Sequence, residues 1–450
     1  MLTLVIGNQF IPSEKAVERD MLGHDFTAFY TAGHFAATGQ FKKLYDIQAV
    51  KEFEQETGRR AGLTLGDSYG PYWNPPFYAW IFAPLSRLSY SRALLLWTFF
   101  NVGCGLVAIV LLCRMLAPPC VSLSTAGIGW RSYGLIPLLV ICSMPVMQAL
   151  SHGQNTMTSL LLLTTAVTFW RSDRALPAGL VCGLLFYKPQ LGAIVAIAIV
   201  LTLGWRAIAG LAITGTILLL ITITTMPGAL VDFVHQLPVN VRFMQIDHDY
   251  VWERHATIKA FWRLMFQGRG AGEPMAAVTG LTLAICGMLG AGLVRCALPG
   301  NAVSRDRLIA ATIATMPLLM PFYFDYDLML LVIPAVLFAN EFVGSALADG
   351  NSPKSKILRA GTIPSAKADP TKNPSDRWLV RAWIALFLWM LINPGIAGKT
   401  HFNLTVPLLT IVASLLILRA MSRVGSVSAG VPLQSAVCQT LPTTPCAAIS

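Results

Sequence analysis

The chain is 450 residues long, 55% hydrophobic and only 12% charged, with a mean hydropathy of +0.60. Soluble globular domains carry roughly 25% charged residues, so the composition excludes one and points to an all-α, polytopic integral membrane protein. The net charge of +11 is scattered through loops without a basic stripe, which argues against nucleic acid as a partner and suits loops facing anionic lipid.

In chain order, Leu2 to Ile11 comes first, apolar but too short to cross a bilayer. It lacks a signal-peptide pattern and reads as the remnant (1–11) of a truncated first span, the alternative being a partial helix docked there. Residues 12–76 form a long outward loop expected to hold interfacial helices. Apolar runs then lie near 91–113, 134–150, 157–171, 175–187, 190–204, 207–226, 276–295, 307–320, 328–341, 380–397 and 403–420. They predict about 11 transmembrane helices, although a spanning helix needs about 20 residues and several runs are shorter. Broken helices lining a cavity are one way to accommodate short runs. The organisation expected is a transmembrane core over 77–341 with an outward loop 227–275, a Ser-, Pro-, Lys- and Gly-rich cytoplasmic linker over 342–379, C-terminal helices over 380–420 and a disordered tail over 421–450. No internal repeat is evident.

Cationic residues set the orientation. Walking along the runs, Arg114, Arg131, Arg171, Arg174, Arg206, Arg295, Arg305, Arg307, Arg419 and Arg423 fall on one side, with the basic segment 342–379. Short loops of the other side hold only Lys188 and Lys399. By the positive-inside rule the loops 12–76 and 227–275 are extracytoplasmic. Four polar motifs emerge on that same side: His24 to Tyr30, Ser151 to Asn155, Tyr187 to Gln190, and Pro321 to Asp327.

These motifs hold the candidate site residues. Asp25 lies in an aromatic setting with Phe26, Phe29 and Tyr30; partial desolvation there would raise its basicity, enough to take a proton from a sugar hydroxyl. The structural alternative is a helix N-cap. His152, Gln154 and Asn155 place three long hydrogen-bonding side chains on one turn, which suits ligand hydroxyls as well as a plain turn. Lys188, between two short apolar runs, is costly unless paired or functional; as a compact cation it suits a phosphate, and snorkelling to headgroups is the alternative. Arg242, Arg254 and His255 supply a basic cluster in the second outward loop. Asp325 and Asp327 could hold a ligand or pair with Lys188. Asp247, His248 and Asp249 match no strong metal-ligand spacing. Of the nine cysteines, none falls in either outward loop, and no disulfide framework is legible. Nucleotide-binding and Ser-nucleophile signatures are also missing. The prolines and aromatics of Tyr69 to Phe77 read as an interfacial belt.

Taken together, Asp-Phe-x-x-Phe-Tyr, an aromatic Pro-Pro before the next span, Gly-Gln-Asn, Tyr-Lys-Pro-Gln and Pro-Phe-Tyr-Phe-Asp-Tyr-Asp-Leu resemble glycosyltransferase family 87, of the C-type (GT-C) superfamily, over roughly residues 24–340. That resemblance implies a GT-C-like fold and a polyprenyl-phosphate-sugar donor, commonly a mannosyl one. It also implies inverting transfer of the hexose to a lipid or glycan acceptor outside the cytoplasm. Asp25 falls on the family's catalytic base, and Trp252 to His255 is similar to a Trp-Glu-His element of some members. Tyr30, His152, Gln154, Asn155, Lys188, Arg242, Arg254, His255 and Asp325 are then the expected substrate contacts. A lipid monophosphate lacks the pyrophosphate that nucleotide-sugar enzymes chelate with metal, so no metal or cofactor is expected. A transporter or flippase for a lipid-linked sugar is the rival class; it would place ionisable groups at mid-membrane in paired broken helices, whereas here most sit at one edge.

Overall fold

The computed structural model describes residues 23–62, 69–116, 137–298, 303–350 and 374–422. The proposed first-span remnant and the tail beyond 422 lie outside them. Among the described residues the chain is helical, and the one β contact is an isolated antiparallel bridge between His255 and Phe324.

Two helices occupy the first polar loop, α1 (His24–Ala37) and α2 (Ile47–Ala61). The bundle follows as α3 (Tyr90–Leu116), α4 (Met144–His152), α5 (Thr156–Arg171), α6 (Ala175–Leu184), α7 (Pro189–Leu203) and α8 (Trp205–Thr225). The second polar loop supplies α9 (Ala229–Gln245) and α10 (Ile258–Gln267). The bundle is completed by α11 (Ala276–Ala297), α12 (Arg305–Leu319), α13 (Val332–Gly350), α14 (Pro374–Met390), α15 (Asn393–Thr400) and α16 (Thr405–Met421). Within the described residues each apolar run read from the sequence falls largely on helix, with breaks at 142–143 and 391–392. Among the described residues, however, only α3, α8 and α11 are long and apolar enough to cross a membrane by length and composition; α6 with its continuation to Tyr187, α7 and α16 are shorter apolar helices. Helix also occupies both ends of the segment read as a linker, since α13 runs to Gly350 and α14 begins at Pro374.

Small residues set the closest helix contacts. A Cβ on Gly179 of α6 would stand 2.2 Å from the Ala207 carbonyl oxygen of α8, and one on Gly210 would stand 2.3 Å from that of Leu176. Glycine lets these two backbones touch, the usual device where lipid gives helices no hydrophobic drive to associate. α1 is docked in the same way, because a Cβ on Gly33 would stand 2.5 Å from the Phe82 backbone. Around that contact Phe26, Phe29, Phe82, Tyr90 and Trp97 form an aromatic cluster with centroids 4.8–6.4 Å apart. Such pairs each add about 0.5–1.5 kcal/mol beyond their buried area, so α1 is a rigid part of the bundle.

The Tyr69 to Phe77 segment packs inward rather than forming a belt. Tyr72 and Tyr78 are buried and only Trp73 is exposed among its large aromatics. Asn74 donates to the Tyr187 carbonyl at 2.8 Å, and Tyr78 stacks on Tyr187 at 4.5 Å.

Two polar layers mark opposite ends of α5. At its C-terminal end Arg171 pairs with Asp306 at 2.8 Å, and Arg305 bonds Asp173 and the Trp170 carbonyl. Arg307 and Arg419 share Glu341, and Arg419 also pairs with Asp376. At its N-terminal end, about 24 Å away for 16 residues, lie the Gln154 turn and its partners.

Candidate active site

The site begins with two glycines. Gly153 ends α4 in a left-handed conformation (φ 67°), and Gly23 precedes α1 with φ 69°. A Cβ on Gly153 would come within 2.7 Å of the Phe26 Cβ and 3.6 Å of the Gly23 Cα, so the α4–α5 turn lies directly on the start of α1. Backbone bonds lock it there, with Gly23 N–H donating to the Ser151 carbonyl at 2.6 Å and Trp97 donating to that of Gly153 at 2.8 Å. Gln154 is thereby delivered to Asp25, and its Nε2 donates to Asp25 Oδ2 at 2.8 Å.

Asp25 does not cap its helix. Gly23 occupies the N-cap and no side chain bonds there, which leaves the carboxylate facing outward with 27% of its side chain exposed. Burial pushes its pKa up, but a hydrogen bond with His24 and the charges of His152, His24 and Arg254 outweigh that and hold it well below the usual carboxylate range. Sequence reasoning expected a raised basicity; the surrounding positive charge reverses the sign.

Beside this carboxylate stands Arg254, on a 3₁₀ turn (Trp252–Arg254) of the second loop. It straddles Asp325, with Nε 3.3 Å from Oδ2 and Nη2 3.1 Å from Oδ1, and its Nη1 meets His152 Nε2 at 3.1 Å. Three of its five N–H groups are engaged in these bonds. Gln148 donates to Asp325 Oδ2 at 2.7 Å, and the guanidinium lies 5.6 and 5.8 Å from the Phe324 and Tyr326 ring centres. The Asp325 charge holds Arg254 firmly ionised despite its burial.

Lys188 has a different environment. Its Nζ lies 2.8 and 2.9 Å from the two oxygens of Asp327 and 3.4 Å from Asn155 Oδ1, while Thr156 also donates to Asp327 at 3.0 Å. The pair is 9% and 2% exposed. Lys188 is therefore buried and paired with Asp327 rather than snorkelled, the pairing being one of the alternatives its sequence context offers.

The remaining candidates divide clearly. His152, Gln154 and Asp325 join Asp25 and Arg254. Asn155 is fully buried and donates to the Tyr78 hydroxyl at 2.9 Å. Tyr30 turns into the aromatic cluster, its hydroxyl donating to the Leu88 carbonyl at 2.8 Å. Arg242 stands apart on α9, 58% exposed and paired with Glu273 at 2.7 Å. His255 is buried beneath Arg254, with Nε2 3.0 Å from the Tyr250 hydroxyl and Nδ1 without a partner; burial and the Arg254 and Lys259 charges lower its pKa to about 3, so it is neutral. Among the described residues no group of three or more His, Cys, Asp or Glu side chains could hold a metal. Gln148 was not singled out by sequence reasoning. A Gln inside the apolar run Met144 to Leu150 is the signal that could have found it, since an uncompensated polar group there is expensive.

Chemically, the cluster offers one ionised, partly open carboxylate beside one fixed guanidinium with N–H groups to spare. Such a pair can accept a proton and steady a departing anion. No curated protein and no solved structure matches the chain. A family model, glycosyltransferase family 87, matches residues 72–350, more than half of the sequence and all of the site's second half. The chain belongs to glycosyltransferase family 87, and it is a glycosyltransferase acting on a sugar donor and an acceptor in a membrane setting.

Proposed function

We propose that the chain is a multi-pass membrane enzyme that transfers a hexose, mannose, from a polyprenyl-phosphate donor to a lipid or glycan hydroxyl on the extracytoplasmic face. The observation that carries this reading is the single turn joining Asp25 and Arg254. Gln154 holds the carboxylate at 2.8 Å, and His152, two residues away, meets the guanidinium at 3.1 Å. The arginine cluster at the far end of α5 supports the orientation through the positive-inside rule.

In the proposed step the acceptor oxygen bonds the anomeric carbon while its proton passes to Asp25. The bond from that carbon to the phosphate oxygen breaks, its electron pair leaving with the phosphate, and the configuration inverts. Arg254 donates to the departing phosphate, whose charge grows as the bond breaks. Asp25 starts as a weak base because cations surround it. A phosphate anion on Arg254 offsets part of that positive charge and strengthens the base when donor is present. The buried Lys188–Asp327 pair, Asn155 and Tyr30 serve as framework on this reading.

The test is sugar transfer in isolated membranes from radiolabelled polyprenyl-phosphate-mannose, comparing wild type with equally expressed Asp25→Asn. Labelled glycolipid from wild type alone supports the assignment. Equal product from both removes Asp25 as the base.

A further inference from the structure

Asn403 lies beyond the matched family region, in the four-residue turn between α15 and α16, and is 2% exposed. Its Nδ2 donates to two carbonyls, those of Glu253 and His255, both at 3.0 Å. These are the two residues that flank Arg254. Its Oδ1 accepts from the Thr405 N–H at 3.2 Å, so the amide is held at both ends and its orientation is determined. The backbone it grips is otherwise shaped by a single 3₁₀ turn and the bridge of His255 to Phe324, while its side chains reach Asp325, His152, Tyr250 and Arg269.

Beside this grip lies a small cavity lined by Glu253, Arg254, His255, Asp325, Asn393, Asn403 and Thr405, with about 10 Å³ of internal room, the size of a single water. Three buried polar atoms of these residues have no partner: Glu253 Oε2, His255 Nδ1 and Thr405 Oγ1. Such atoms are rare and costly. Their gathering behind Arg254, beside Pro145, Leu328 and Met390, makes the seam between the C-terminal helices and the site a mixed junction that carries polar groups. Glu253 is tethered from the outside by Arg269 at 3.1 Å.

We propose that Asn403 is a positioning residue for Arg254: its two-handed grip on the carbonyls either side fixes the guanidinium where a lipid phosphate binds. The C-terminal segment 393–405 is thus part of the active site's back wall. This rests on Arg254 being the phosphate contact.

Asn403→Asp keeps an oxygen for the Thr405 N–H but replaces the donor by an acceptor facing two carbonyls; Asn403→Ala removes both contacts. The probe is geranyl phosphate, with geraniol as the uncharged control, titrated calorimetrically into the detergent-purified full chain. Loss of two net hydrogen bonds predicts about a tenfold weaker affinity for geranyl phosphate in both variants, with geraniol binding unchanged. Arg254→Gln should weaken it at least as much, and Asn403→Asp added to Arg254→Gln should cost nothing further, because Asn403 acts only through Arg254. Additive losses, or equal losses for geraniol, would mean a merely structural asparagine and overturn the proposal. Tight phosphate binding by both Asn403 variants beside a weakened Arg254→Gln also overturns it, while leaving Arg254 as the phosphate contact. Wild-type affinity in Arg254→Gln removes that contact and this inference together.

Discussion

Glu54, on α2, gives the sharpest quantitative prediction. It is fully buried, its Oε2 accepting from the Gly70 N–H at 2.8 Å and its Oε1 without a partner. Burial pushes its pKa up from 4.5 to about 8, against the pull of that N–H, with the Asp25 charge adding to the rise. Because the folded value is raised, the carboxyl's contribution to stability is fully present below the unfolded value and is lost as pH climbs toward 8. At pH 7 the unfolded chain has an ionised Glu54 and the folded chain a neutral one. The gap of about 2.5 pH units then costs roughly 3 kcal/mol. Glu54→Gln removes the titration while keeping an oxygen for Gly70. It should therefore raise the apparent unfolding temperature at pH 7, and the gain should shrink to about 1.4 kcal/mol at pH 5.5. The assay is thermal unfolding of the detergent-purified chain across that range. Identical pH dependence in wild type and Glu54→Gln would refute the reasoning. The neutral form also keeps a second negative charge away from Asp25, so the residue ties stability to the site.

Lys188→Ala should destabilise the fold by about 3–5 kcal/mol, since Asp327 is left buried and unpaired; Lys188→Met combined with Asp327→Leu should recover much of that loss in the same thermal assay. Gly33→Ala should cost about 3 kcal/mol by driving a Cβ into the Phe82 backbone, seen as a lower unfolding temperature together with reduced transfer. Treating membranes with EDTA should leave the transfer rate unchanged if, as proposed, Arg254 rather than a metal stabilises the leaving phosphate; a lost rate restored by added magnesium or manganese would sink that view.

Much of this architecture was legible because it depends on local pattern. Apolar runs set the helices, and within the described residues each run read from the sequence is largely helical. The juxtaposition of Asp25 with Gln154 followed from placing both turns on one side. Other features depend on tertiary pairing that no spacing reveals. Pairing of Lys188 with Asp325 or Asp327 was legible as an alternative, but which aspartate, 139 residues away in the case of Asp327, was not. Arg242 and Arg254 were equally plausible as a pair of loop cations, yet one faces solvent and the other is wedged between Asp325 and His152. The sign of the Asp25 shift was misjudged for the same reason: burial was legible, the cations around it were not. Asn403 reads as an ordinary residue before a helix until the carbonyls it holds are seen.

On the proposed mechanism, the two aspartates of the 3₁₀ segment Asp325–Leu331 account for the choice of Arg254 over Lys188 as the phosphate contact. Asp327 closes on Lys188 with both oxygens, and Asn155 takes a further Lys188 donor. A phosphate claiming Lys188 would have to break a buried pair, at about 3–5 kcal/mol, to gain one new contact of comparable strength. Asp325 instead holds Arg254 through Nε and Nη2 and shares its own Oδ2 with Gln148. That grip orients the guanidinium without exhausting it, because the planar fork has five N–H groups. A phosphate can be added to Arg254 while every existing bond is kept, so binding need not overcome the cost of separation. Two residues of register thus set the difference between a cation whose carboxylate partner holds it on both oxygens and one with N–H groups to spare, which the proposed mechanism assigns to the phosphate.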